Sequence, residues 1–98
     1  MNKWSIRDLD SDEIHRVIFP DGGLFTIIKD RSKRTPTYAL GDDLAWIEGR
    51  PKSRGPMSDE LLLAVLNSEG AKPISASEAA NIRARHRAKI KNTIVAKS

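Results

Sequence analysis

Five cations, Arg83, Arg85, Arg87, Lys89 and Lys91, occupy every second position of one short stretch near the C-terminus. Side chains of this kind meet phosphate or carboxylate, and against phosphate they supply affinity that is indifferent to base sequence and falls steeply with salt. The stretch is nearly free of acids. From Met1 to Gly70 there are 10 Lys or Arg against 12 Asp or Glu, a net of -2, whereas from Ala71 to Ser98 there are 7 against 1, a net of +6. The chain's net charge of +4 therefore belongs to its C-terminal segment. Two other groups, Arg31, Lys33 and Arg34 in one predicted loop and Arg50, Lys52 and Arg54 in another, extend that positive surface if the fold brings them alongside it. Asp30, Asp42, Asp43 and Glu48 are close enough in sequence to neutralise them locally.

Other chemistries find less support. His15 and His86 are too few and too far apart for a metal site, and no His-x-x-x-His pair occurs. The carboxylates Asp10, Asp12, Glu13, Asp42 and Asp43 are accounted for by turns and strand edges. No glycine-rich phosphate loop precedes a helix, and no serine has a histidine and an acid arranged beside it. There is no cysteine, which excludes a thiolate metal site and a cysteine nucleophile and suits a reducing cytoplasm. The sequence thus predicts a non-catalytic protein without cofactor or metal. Of the aromatics, Phe19, Phe25, Tyr38 and Trp46 fall in predicted strands among aliphatic neighbours and are expected in the core. No RNP-like run of glycine and aromatics is present.

The elements that must position the cations follow from local pattern. At 98 residues the chain has the size of a single domain with one modest core. Ile14 to Phe19 and Leu24 to Ile28 flank Pro20-Asp21-Gly22-Gly23 and read as a β-hairpin, apolar on both faces and therefore central in its sheet. A second hairpin is expected from Tyr38-Ala39-Leu40, a turn at Gly41-Asp42-Asp43, and Leu44-Ala45-Trp46-Ile47, with Gly49 and Pro51 ending the last strand. Trp4 to Leu9 offers a short edge strand. Residues 50–57, rich in Gly, Pro and cations, read as a mobile basic linker between a β-rich part (1–49) and a helical part (58–98).

A first helix should start at Ser58 as its cap, with Met57 stapling to Leu62, with Leu61, Leu62, Val65 and Leu66 as its apolar face widened by Leu63, and with Gly70 as its stop. A second helix should begin at Ser75 or Ser77 and run to about Asn92. On its wheel Ala79, Ile82, His86, Ile90 and Thr93 form a thin seam, flanked by Arg83, Arg87 and Lys91 on one side and Arg85 and Lys89 on the other. The expected class is α+β: an antiparallel sheet of three to four strands followed by two C-terminal helices, the last one basic.

Two partner classes fit this pattern. The first is nucleic acid, gripped at its backbone by the basic helix of a binding or regulatory module. The second is an acidic protein surface, as for a small inhibitor or a viral or mobile-element accessory protein, with Ile82 and Ile90 as apolar anchors at helical spacing. The same two isoleucines also suit docking on the protein's own sheet or on a second copy in a homodimer. The longest strongly apolar run, Leu61 to Leu66, is too short to cross a bilayer, and no secretory signal is legible, so a cytoplasmic protein is expected.

Overall fold

A computed structural model of the chain describes residues 3–10 and 16–97, with side chains of the last helix described through Lys91. The class is α+β. The elements in chain order are α1 (Ile6–Leu9), β1 (Arg16–Ile18), β2 (Leu24–Asp30), β3 (Thr37–Asp42), α2 (Asp43–Ile47), β4 (Ser53–Met57), α3 (Asp59–Ser68), β5 (Lys72–Ile74) and α4 (Ala76–Lys97). The five strands form one antiparallel sheet in the order β4-β3-β2-β1-β5.

The first hairpin forms as its residues dictate. Gly22 adopts φ +93°, Phe19 accepts from the Gly22 amide at 2.9 Å, and the Asp21 carboxylate accepts from the Gly23 amide at 2.8 Å. Arg16 to Ile18 then pairs with Leu24 to Thr26. Ile14 and His15, expected in the same strand, lie outside the described residues.

The second hairpin does not form. Leu44 to Ile47 is helical, and β3 pairs on its far side with β4 instead. Asp42 accepts from the Ala45 amide at 3.0 Å, Asp43 stands in the first turn, and Gly49 follows the helix end at φ +77°. Two aspartates ahead of an apolar tetrad serve a helix cap as readily as a turn. The supposed linker is likewise structured over Ser53–Met57: β4 is an exposed edge strand whose only buried residue is Met57. Between the Tyr38–Met57 and Leu40–Arg54 pairs, one residue of β3, Ala39, stands against two of β4, Gly55 and Pro56, which marks a bulge. Gly55 sits in that bulge at φ +134°, where a Cβ would come within 2.8 Å of the Tyr38 carbonyl oxygen. Nor do the helices simply follow the sheet, since α1 replaces the expected N-terminal edge strand and β5 lies between α3 and α4. Both edge strands carry a proline, Pro56 in β4 and Pro73 in β5, which blunts them against pairing with another chain.

The main core lies on one face of the sheet, where Val17, Ile27, Tyr38, Leu40 and Met57 meet Leu62 and Leu66 of α3 and Leu9 of α1. Ser58 caps α3 by accepting from the Leu61 amide at 3.2 Å, and Gly70 ends it at φ +72°. Leu61, expected on the apolar face, instead points outward, because a helix centred on Leu62 and Leu66 turns it about 100° away. Trp4 is only 5% exposed: its indole donates to the Ala71 carbonyl at 2.8 Å, and its backbone is gripped from both sides by the Asn67 amide at 2.7 and 3.1 Å.

Leu24 and Ala79 are also buried but stand outside that cluster. Leu24 alternates with Phe25 and so shares the opposite face with Thr26 and Ile28. α2 lies on this face, because Asp43 accepts from the Thr26 hydroxyl at 2.8 Å, and α4 packs against α2. The sheet is therefore covered by α1 and α3 on one side and by α2 and α4 on the other.

Two measurements check this arrangement. In urea unfolding, Leu66→Ala should cost about 2–5 kcal/mol and Ser58→Ala about 1 kcal/mol, while Leu61→Ala should stay within about 0.5 kcal/mol of the wild type; equal losses at Leu61 and Leu66 would contradict the placement of α3. Burial, reinforced by Asp59 and Asp10, pushes the Tyr38 phenol above its ordinary value. The folded state thus holds that proton more tightly than the unfolded chain, so its contribution is complete below the unfolded value of about 10 and is lost as pH rises toward the folded one. Tyr38→Phe should accordingly lose stability less steeply above about pH 10, and identical slopes for the two proteins would count against a buried phenol.

Candidate functional site

α4 is the longest element, about 33 Å at the usual helical rise. It starts where Ser75 accepts from the Glu78 amide at 3.2 Å. Ala79 is buried, Ile82, Arg83, His86 and Ile90 are half-buried, and Arg85, Arg87, Lys89 and Lys91 are exposed. The apolar seam thus turns toward the body. The seam is pinned at its middle, where the His86 Nε2 and the Glu48 carboxylate, just past the end of α2, meet at 2.9 Å. The molecule measures 51 × 29 × 22 Å with a radius of gyration of 14.9 Å, against about 13 Å for a compact chain of this length. A helix of this length is longer than either of the two shorter extents of the molecule, which accounts for that elongation.

The three basic groups separate. On α4, Arg85, Arg87 and Lys91 have no acidic partner among the described residues. Arg83 differs, since its Nε is buried beside the seam without a hydrogen-bond partner among those residues. Arg50 and Lys52 follow directly on Glu48, so the Glu48–His86 bond holds their segment against the middle of α4. Arg54 is turned away: it is paired with Leu40 on the α3 face and makes a two-pronged ion pair with Glu69 at 3.0 and 3.3 Å. Arg31, Lys33 and Arg34 project from the β2–β3 loop, beyond the Asp30–Thr37 pair, whereas α2 follows the Phe25–Asp42 pair at the other end. Five residues of strand, roughly 17 Å, separate the two ends. The Glu48–His86 contact therefore places the segment that carries Arg50 and Lys52 near the middle of α4, while Arg54 and the 31–34 loop lie elsewhere.

One feature was not anticipated from the sequence. Between α2 and the β3–β4 edge lies a groove of about 340 Å³ lined by Thr26, Ile28, Gly41, Asp42, Asp43, Trp46, Pro51, Lys52 and Ser53. Trp46 is 66% exposed and Ile28 49%. Asp43 is held by Thr26 and lies 3.8 Å from the Arg16 guanidinium, while one oxygen of Asp42 caps α2. The signal that could have revealed the groove is the Asp42 cap, since making Leu44 to Ile47 one helical turn forces Trp46 and Leu44 to different sides.

Among the described residues no group of three or more His, Asp or Glu is placed to hold a metal ion, and no helix is long and apolar enough to cross a membrane. No protein-family model, curated protein or solved structure matches this chain.

The pinning of α4 is testable by amide exchange. His86→Ala and Glu48→Ala should each speed exchange in the second half of α4, by up to about fivefold given the small worth of an exposed pair, and leave α3 unchanged. The double variant should add nothing to either single one. Additive effects would mean that the two side chains act apart.

Proposed function

We propose that this chain is a non-catalytic binding module of the cytoplasm that engages the phosphate backbone of a nucleic acid through the exposed cations of α4, with Arg50 and Lys52 extending the surface. The observation that carries this reading is the division of α4 into two sides. Its seam is occupied by the chain's own body through Ala79, Ile82 and His86, while Arg85, Arg87, Lys89 and Lys91 face solvent. Only one acid, Glu78, stands on the helix, and it is a full turn or more from these cations.

Exposed cations on both flanks of the seam concentrate positive potential around the solvent side of α4, and a polyanion is the partner that exploits it by releasing its condensed counterions. The groove-anchor reading asks Ile82 and Ile90 to enter another protein. Both are already half covered here, so they contribute more to holding α4 than to reaching a partner.

Changing Arg85, Arg87, Lys89 and Lys91 together to alanine removes no buried group and should leave the fold intact, as circular dichroism can verify. Fluorescence anisotropy with labelled duplex and single-stranded oligonucleotides should then show weaker binding to every sequence. The dependence of log affinity on log salt should flatten by roughly three units if all four meet phosphate. Unchanged affinity in this variant overturns the proposal, and absence of binding at low salt by the wild type leaves an acidic protein surface as the partner.

A further inference from the structure

We infer that the groove beside Trp46 is a base-binding pocket, so that the nucleic acid taken by this chain is single-stranded, with an unpaired base stacked on the Trp46 indole. This deepens the reading of α4 as a phosphate-binding helix and rests on it.

Three observations converge on the groove. Its walls are an aromatic ring and an aliphatic side chain, Trp46 and Ile28, that the fold leaves in water although thirteen other hydrophobic residues among those described are buried. A planar π-face with an apolar wall opposite is what holds a base that has left its stack. Its volume of about 340 Å³ falls at the small end of ligand sites, about 300–1,000 Å³, which suits one planar group better than a folded segment. An added β-strand is a poor occupant as well, because Pro56 interrupts the edge that such a strand would need.

The second observation is the path to it. Glu48 touches α4 at His86, Arg50 comes next, and Lys52 lines the groove. A strand whose phosphates meet cations of α4 thus finds Arg50 and Lys52 in the short segment between the Glu48–His86 contact and the pocket.

The third is the polarity of the pocket's rim. Asp43 is already engaged by Thr26 and approached by Arg16, and one oxygen of Asp42 is committed to the Ala45 amide. The other Asp42 oxygen has no partner among the described residues. A carboxylate there repels a phosphate but accepts from the exocyclic amine of a base such as cytosine. The groove therefore admits the base and keeps the backbone at its mouth.

The test uses the full chain with a short oligodeoxycytidine and a duplex of equal phosphate number, each at low and near-physiological salt. The single strand should bind more tightly than the duplex and quench the emission of exposed Trp46, leaving the buried Trp4 as the residual signal. Trp46→Ala should lower single-strand affinity roughly 5- to 150-fold, the range of base stacking on an aromatic, while duplex binding and its salt dependence stay unchanged; Trp46→Phe should restore most of the loss. Equal, salt-sensitive binding of both probes with no effect of Trp46→Ala overturns the base pocket and leaves the phosphate-binding helix standing. Failure of both probes to bind the wild type overturns the two together.

Discussion

The strand β2 is apolar on both faces, and the rest of the molecule is arranged to cover it. Phe25 and Ile27 face one way, Leu24 and Ile28 the other. A strand of this kind cannot sit at the surface of a two-layer fold, because burying one row would leave the other in water. The chain meets the constraint with unequal means. α3 covers the Ile27 face with two fully buried leucines, while the Leu24 face is covered by a single turn of helix, α2, and by the first half of α4.

That thin second layer explains both features of the candidate site. α2 spans only five residues and covers the sheet near Leu24 and Thr26, so cover runs out at Ile28 and a groove opens toward β4. α4 needs little apolar surface to complete the layer, and Ala79, Ile82 and the His86–Glu48 bond suffice to orient it. Most of its circumference is released from packing and can carry charge. A wider apolar stripe would have buried the flanks on which Arg85, Arg87 and Lys89 stand.

How far the sequence exposed this plan depended on whether a residue's local pattern or its distant partner decided its place. The first hairpin, the Ser58 cap of α3 and the seam of α4 were legible because turn glycines, caps and helical spacing act within a few residues. β4 and β5 were not: Ser53–Met57 has one buried side chain and Lys72–Ile74 carries a proline, so each is a strand only through pairing with β3 or β1. The tryptophans invert the expectation. Trp46 sits among aliphatics in sequence, but one helical turn begun by Asp42 carries it outward, whereas Trp4, flanked by polar residues, is drawn in by Asn67 and Ala71 more than sixty positions away. The seam of α4 could therefore be read from the sequence, whereas the groove depended on taking Asp42 as a helix cap and not as a turn residue.

The separation of charge bears on how a polyanion would approach. With the first seventy residues at a net of -2 and the remainder at +6, the chain is a dipole whose positive end is α4. Screening limits the reach of surface charge to about 8 Å at physiological ionic strength, so the acids of the body can weaken only the cations close to them. Docking through the seam brings Glu48 to α4 and engages it with His86, and Arg54 takes up Glu69 on the opposite layer. The packing thus satisfies Glu69 away from α4, whereas Glu48 stands at the seam beside His86, and the exposed cations still outnumber the acids that reach them. On the proposed reading, a partner drawn to that field would meet α4 first and the groove second. Were the partner the proposed single strand, the long-range attraction would be sequence-blind, and any discrimination between strands would fall to the contact made last, at Trp46.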